Sequence, residues 1–89
     1  MSLVFTEHAL ARLAKRQLER ELIERIVSNP ARIEGDAQNP TLEHRLAVVP
    51  ELANRVLRVI VSKTEPKRVI TANLHAQGRT TGSGSARMQ

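Results

Sequence analysis

The sequence contains no cysteine, no tryptophan and no tyrosine, and Phe5 is its one aromatic residue. The absence of cysteine excludes disulfide bonds, thiolate chemistry and cysteine-based zinc sites. The scarcity of aromatic rings argues against a base-stacking platform for single-stranded nucleic acid and predicts a core of Leu, Ile, Val and Ala. At 89 residues, the chain has the length of one small domain.

Long apolar runs and short histidine spacings are also missing. No stretch approaches the roughly 18 apolar residues of a membrane span, and no charged-then-apolar leader opens the sequence, so we expect a cytoplasmic protein without membrane contact. The three histidines are too widely spaced for a recognisable metal motif, and no glycine-rich phosphate loop is present. We therefore expect no metal and no other cofactor.

Positive charge is concentrated in the second half of the chain. Residues 1–43 hold six Lys or Arg against seven Asp or Glu, whereas residues 44–89 hold eight against two. A basic surface favours polyanions, nucleic acid above all, or an acidic protein partner. On composition alone, an arginine-rich surface that only keeps a small protein soluble is an equal alternative.

Two helices are predicted before Pro30. Thr6 precedes an apolar-periodic run and reads as the N-cap of a first helix, which extends from Glu7 to about Arg16. A second run, "QLERELIERIVSNP", keeps helical spacing until it stops at Pro30. Because no Gly or Pro separates the runs, periodicity alone also allows one helix over residues 7–29.

The first helix carries a cationic stripe. Four-residue spacing stacks three basic side chains on one side, with a fourth beside them; the set is His8, Arg12, Arg16 and Lys15. The stripe is either a phosphate or partner contact beside the sheet face, or a set of groups that pair with nearby acids and anchor the helix. We favour a division in which Arg12 and His8 organise the fold. Arg16 and Lys15 then remain exposed.

After Pro30 the apolar period changes from about 3.6 to 2, which is typical of strands. Four strands are predicted, in "ARIEGD", "TLEHRLAVV", "RVLRVIVS" and "RVITANL". The last two are close enough in sequence to form an antiparallel hairpin. The predicted fold is α+β, with two N-terminal helices packed on one face of a four-stranded antiparallel sheet.

This domain is predicted to cover residues 1–74. Residues 75–89 are polar and rich in Gly and Ser, so we expect a disordered tail. A folded part of roughly 70 residues has marginal stability, for which a partner or self-association as a homodimer is a common remedy.

Strand parity predicts which side chains the sheet leaves uncovered. If the more apolar set of each strand is buried, His44 lies on the core side, and the opposite face collects polar groups. This predicted open face consists of Glu43, Arg45, Arg58, Thr71, Asn73 and His75. Arginine can hold a phosphate through paired N–H bonds, and His or Glu can move the proton of a 2′-hydroxyl. A solvated face in which Glu43 pairs with an arginine is the more common arrangement.

The segment "FTEHALARLAKRQLERELIERIVSNP" resembles the opening of small bacterial domains of unknown function that are similar to RelE/ParE-like toxins, including the BrnT branch. The matching positions are His8, Ala9, Arg12, Arg16, Leu18, Ile23, Asn29 and Pro30, followed by "LRVIVS" and "RVITANL" as paired strands. The resemblance covers residues 5–74. The pattern usually has Gly after the second Arg and a Ser or Thr cap on the next helix, positions that Gln17 and Glu19 occupy here. This favours two helices over one.

The resemblance implies two helices on a twisted antiparallel sheet whose open face handles RNA. We therefore expect a toxin-like RNA-interacting protein, and from parity and analogy we assign metal-independent RNA cleavage to Glu43, Arg45, Arg58 and His75. Nucleic-acid contacts are assigned to the cationic stripe and to Arg68. An acidic antitoxin-like protein is the expected inhibitor. The alternative is a non-catalytic adaptor whose basic sheet face holds an acidic protein. The cleavage hypothesis requires Arg45 and Arg58 to share one uncovered face.

Overall fold

A computed structural model of the chain describes residues 3–75. The tail predicted for residues 75–89 lies outside this range, apart from His75. In chain order the elements are β1 (Leu3–Phe5), α1 (Glu7–Arg16), α2 (Arg20–Ser28), β2 (Arg32–Gly35), β3 (Leu42–Val49), a 3₁₀ turn (Pro50–Leu52), β4 (Arg55–Ser62) and β5 (Lys67–Leu74).

The described strands form one mixed sheet in the order β1-β5-β4-β3-β2. Strands β2 to β5 form an antiparallel meander, whereas β1 pairs in parallel with β5 from Leu3 opposite Lys67 to Phe5 opposite Val69. The α+β class and the two helices are confirmed. The expected four-stranded antiparallel sheet is wrong in detail, because the three residues of β1 are too few to show a period of 2 in the sequence.

The helices cover one face of this sheet and form the core with it. Ala9 and Leu13 of α1 and Ile23, Ile26 and Val27 of α2 are buried against the strands. The strand residues buried beneath them are Val49, Leu57, Val59, Val61, Val69 and Ala72. The other face of the sheet, which the helices leave uncovered, is called the open face below.

The start of α1 and the break after it have separate local causes. Thr6 is the predicted N-cap: its Oγ1 accepts a hydrogen bond from the Ala9 N–H at 3.0 Å and donates one to the Val69 carbonyl of β5. Gln17 ends α1 in the left-handed conformation, with φ of 57°. The Leu18 N–H then bonds the Leu13 carbonyl at 2.9 Å, which closes the helix C-terminus. The prediction of two helices rather than one is therefore confirmed.

Replacing Gln17 with glycine should stabilise the domain. A left-handed residue with a Cβ costs roughly 1–2 kcal/mol, and the extra backbone entropy that glycine loses on folding cancels only part of the gain. We expect the free energy of unfolding to rise by about 0.5–1 kcal/mol, as measured by urea denaturation. The same substitution at Lys15, inside α1, serves as a control and should destabilise by about 1 kcal/mol. An unchanged or lower stability for Gln17→Gly would contradict the prediction.

Candidate functional site

The pairing of β3 with β4 decides which polar residues share a face. Arg45 lies opposite Val59, which is fully buried, so Arg45 faces the helices. Arg58 lies opposite Leu46. Because Arg58 directly precedes Val59 on the same strand, its side chain points to the other face, the open side. Arg45 and Arg58 therefore point in opposite directions. The catalytic set that required both of them on one face is wrong.

Glu43 lies on the helix-covered face together with Arg45. The rule that polar side chains alternate toward solvent did not predict this, because it takes no account of polar side chains that bond to one another beneath the helices. The Nη1 of Arg45 donates to the Val27 carbonyl at 2.6 Å, which satisfies one of the carbonyls left without a partner at the end of α2. Its Nε and Nη2 lie 2.7 and 2.6 Å from Oε2 of Glu43. The buried Lys67 Nζ lies 3.7 Å from the same oxygen. These three side chains form a polar boundary at the end of the apolar core.

The open face carries a different polar cluster, centred on Arg58. Its Nη1 donates to Nδ1 of His44 at 2.7 Å and to Oε1 of Glu34 at 3.2 Å, and its Nε donates to Nε2 of His75 at 3.2 Å. The opposite ring nitrogen of His44, Nε2, lies 2.7 Å from Oδ1 of Asp36. We call these five residues the Arg58 cluster. One guanidinium thus lies between two imidazoles.

The contacts of His44 define its tautomer. A guanidinium can only donate, so Nδ1 must accept from Arg58, and Nε2 must carry the proton that it donates to Asp36. This hydrogen bond, together with those from the backbone N–H groups of Gln38 and Asn39, lowers the pKa of Asp36. Asp36 is therefore held as a carboxylate that orients the ring. The Nδ1 lone pair of His44 faces Arg58 and the open face.

The turn between β2 and β3 places Asp36 beside His44. Asp36 follows β2 directly, and its carboxylate accepts backbone hydrogen bonds within the turn, which fixes its position. In the β2–β3 ladder Glu34 lies directly opposite His44, so both project to the open face. Sequence reasoning placed His44 in the core and assigned no role to Glu34 or Asp36. The alternation of Glu34 and Asp36 ahead of a turn was the one signal for them.

The other predicted residues outside the cationic stripe lie on the open face. Thr71 and Asn73 lie opposite Ile60 and Arg58 and face the open side, as predicted. Arg68 is exposed on β5, between the buried Lys67 and Val69, so it also faces the open side. His75 is exposed and contacts Arg58 through its ring.

The cationic stripe belongs to the helical layer. Because α1 packs on the helix-covered side of β5, the stripe lies across the sheet from the Arg58 cluster, and the expectation that it flanks the open face is wrong. Lys15 and Arg16 are exposed, as predicted, and Arg12 is half-buried. His8 is exposed, which argues against an anchoring role.

The open face is less basic than the composition suggested. Arg32, Arg58 and Arg68 project from it, but Glu34 and Asp36 offset two of these charges. Arg45 and Lys67, which contribute to the basic second half of the sequence, lie on the helix-covered face instead. Phosphate binding on the open face would therefore depend on Arg58 rather than on a broad positive field.

A model of one protein family matches residues 5–73, which include both helices, β2 to β4 and nearly all of β5. Its description is "Domain of unknown function (DUF4258)". The chain belongs to the DUF4258 family. No curated protein and no solved structure matches it.

Two further findings concern the DUF4258 domain within residues 3–75. Neither helix in this range has the length and apolar character needed to cross a bilayer. Within the same residues, no three His, Asp or Glu side chains converge as candidate metal ligands. In the Arg58 cluster, the guanidinium separates the two imidazoles and takes up the space between them.

Proposed function

We propose that this domain is a toxin-like RNA-interacting protein that cleaves RNA at the Arg58 cluster without a metal. The position of the Arg58 guanidinium between the rings of His44 and His75 carries this proposal. An arginine that binds phosphate and two imidazoles that exchange protons are the groups needed for phosphodiester transesterification. The cluster replaces the set predicted from sequence, of which only Arg58 and His75 remain.

The reaction begins with a proton transfer to His44. Its Nδ1 takes the proton of a ribose 2′-hydroxyl while the 2′-oxygen attacks the adjacent phosphorus, and Asp36 stabilises the imidazolium that forms. As the bond from phosphorus to the 5′-oxygen breaks, protonated His75 gives its proton to that oxygen. The products are a 2′,3′-cyclic phosphate and a 5′-hydroxyl end. Arg58 stabilises the negative charge that develops on the phosphoryl oxygens.

Arg58 must change partners during this reaction. Before RNA binds, its Nε and Nη1 donate to the ring nitrogens that will exchange protons. A phosphate is a stronger acceptor than a neutral imidazole, so binding draws these donors away from the histidines. The Nη2 group takes no part in the three contacts and offers the first point of attachment. Substrate binding thereby frees Nδ1 of His44 to accept the proton of the 2′-hydroxyl. It also frees Nε2 of His75 to take up a proton from water, and this is the proton that His75 then gives to the 5′-oxygen.

Two observations support a toxin-like context. The fold has two N-terminal helices on one face of a sheet, and the opening segment resembles RelE/ParE-like toxins in its HAxxR helix. The exposed basic groups of the cationic stripe lie on the far side of the sheet. An acidic antitoxin-like protein that contacts the stripe would therefore need a second segment that reaches the open face in order to inhibit cleavage there.

The experiment is incubation of the protein with RNA in the presence of a chelator, followed by analysis of the new ends. Arg58→Ala should reduce the cleavage rate by about 10²- to 10³-fold, because a donor to the transition state is lost. Arg68→Ala removes the same charge from the same face but outside the Arg58 cluster. Because Arg68 is assigned a nucleic-acid contact and no part in the chemistry, its loss should raise KM and leave kcat unchanged. A substrate with 2′-deoxyribose at the cleavage position should remain intact.

The outcomes separate cleavage from binding. Equal losses of kcat in Arg58→Ala and Arg68→Ala, or full activity in Arg58→Ala, would overturn the assignment of the cluster. The exposed arginines of the open face, Arg32 and Arg68, favour a contact with an acidic protein as the second candidate. The non-catalytic adaptor would be established by a different result. The unaltered chain would bind RNA or an acidic protein, salt would weaken this binding, and the RNA would stay intact.

A further inference from the structure

Strand β2 forms one edge of the sheet and carries an unusual exposed residue. Among residues 3–75 it pairs with β3 on one side and with no strand on the other. Ile33, in the middle of this four-residue strand, keeps 52% of its surface accessible. Edge strands are usually protected by charge, proline or a covering element, because free backbone groups recruit other strands.

The backbone groups of Ile33 point away from the sheet. The Asp36 N–H donates to the Leu42 carbonyl of β3, and in an antiparallel ladder the groups that face the neighbour alternate along the strand. The N–H and C=O groups of Glu34 therefore face β3, while those of Ile33 and Gly35 face outward. Two donors and two acceptors are available at this edge.

The side chains that flank Ile33 are complementary in charge when a two-fold axis relates two copies of β2. Arg32 and Glu34 have opposite charges and project to the same open face, where they form an exposed pair at 2.9 Å. If a second β2 pairs antiparallel with Ile33 opposite itself, each Arg32 lies opposite Glu34 of the other copy. The two Ile33 side chains then meet on the helix-covered side. Cross-strand pairs of both kinds stabilise sheets.

We propose that β2 is the contact between two copies of this chain, joined edge to edge into one continuous ten-stranded sheet. The two-fold axis is perpendicular to the sheet, so the open faces of both copies lie on the same side. Adjacent strands are about 4.8 Å apart, which places the two β4 strands roughly 24 Å from each other. Both Arg58 clusters then lie on the same face of the joined sheet. The other edge, β1, contributes only Leu, Val and Phe and has no charge that would set a register.

The size of the contact predicts its strength. A four-residue edge buries less than the roughly 1,200 Å² of a stable interface, so the dimer should be weak. Analytical ultracentrifugation of the full chain over about 10 μM to 1 mM should show a monomer–dimer equilibrium. Hydrogen exchange should show the Ile33 and Gly35 amides becoming protected as the protein concentration rises.

Three variants test this contact. Ile33→Pro removes the outward N–H without breaking the β2–β3 ladder, and it should abolish the dimer while the melting temperature changes little. Arg32→Glu places like charges opposite each other and should weaken dimerisation by about tenfold or more. Arg68→Glu makes the same charge change away from β2 and should leave the dissociation constant unchanged.

Several results would overturn the proposal. These are a monomer throughout the concentration range, a dimer that survives Ile33→Pro, or a dimer whose protected amides lie outside β2. Protection of Ile33 that does not depend on concentration would also overturn it, because the edge would then be covered within one chain. If a variant loses the dimer but still cleaves RNA, the proposed function of the Arg58 cluster does not depend on dimerisation.

Discussion

Replacing His44 with alanine should reduce the rate of RNA cleavage by about 10²- to 10⁴-fold, the usual contribution of a general base. The imidazole is the group of the Arg58 cluster whose tautomer is defined from both sides, by Asp36 on Nε2 and by Arg58 on Nδ1. Alanine removes the proton acceptor and leaves Asp36 without the ring that it orients. The loss should appear mainly in kcat, because Arg58 still binds the phosphate.

His8→Ala is the matched control for this prediction. His8 is exposed to solvent and lies on α1, across the sheet from the Arg58 cluster, so its loss should leave cleavage unchanged. His75→Ala should resemble His44→Ala, since it removes the proposed acid. If His44→Ala retains normal kcat with a native melting temperature, His44 is not the base.

Asp36→Asn separates positioning from folding. The amide keeps the size of the side chain but removes the charge that stabilises an imidazolium, so kcat should fall while KM stays nearly constant. A purely structural role would instead lower the stability and leave the kcat of the folded fraction unaltered. Asp36 acts through His44 and is a positioning residue.

Replacing Arg45 with alanine should destabilise the domain by about 2–4 kcal/mol without changing cleavage per folded molecule. Arg45 has 15% of its side chain accessible and donates to both Glu43 and the Val27 carbonyl. Removing it leaves a carboxylate and a helix-end carbonyl with fewer partners in a mostly buried position. Lys67, 3.7 Å from Glu43, would compensate in part.

The chain contains a matched control for Arg45. Arg32 also pairs with a glutamate two residues away on its own strand, at 2.9 Å, but 73% of its side chain is accessible. Arg32→Ala should therefore cost only about 0–1 kcal/mol. Urea denaturation of both variants measures the difference. Equal costs would contradict the structural role of Arg45, and Arg45→Lys, which keeps the charge, provides a folded variant if alanine prevents folding.

The loss of Arg45 as a catalytic candidate shows where parity reasoning fails. In β4 the apolar residues Leu57, Val59 and Val61 are buried as alternation predicts, because each packs directly on the helices. In β3 the set of residues that faces the helices is the opposite of the predicted set. The end of α2 brings unsatisfied carbonyls over the strand, and a guanidinium satisfies one of them better than an aliphatic side chain could. That demand arises only once the helix has docked.

Local sequence features determined the elements of this protein: the Thr6 cap, the apolar spacing of both helices and the alternating runs of four strands, because these depend on neighbours within a few residues. Only the tertiary structure decided which face of the sheet each side chain occupies. It turned Arg45 toward the Val27 carbonyl, added β1 beside β5 and brought Asp36, His44 and Arg58 together. The physical reason is that helix docking and strand register, which set these contacts, join residues far apart in the chain.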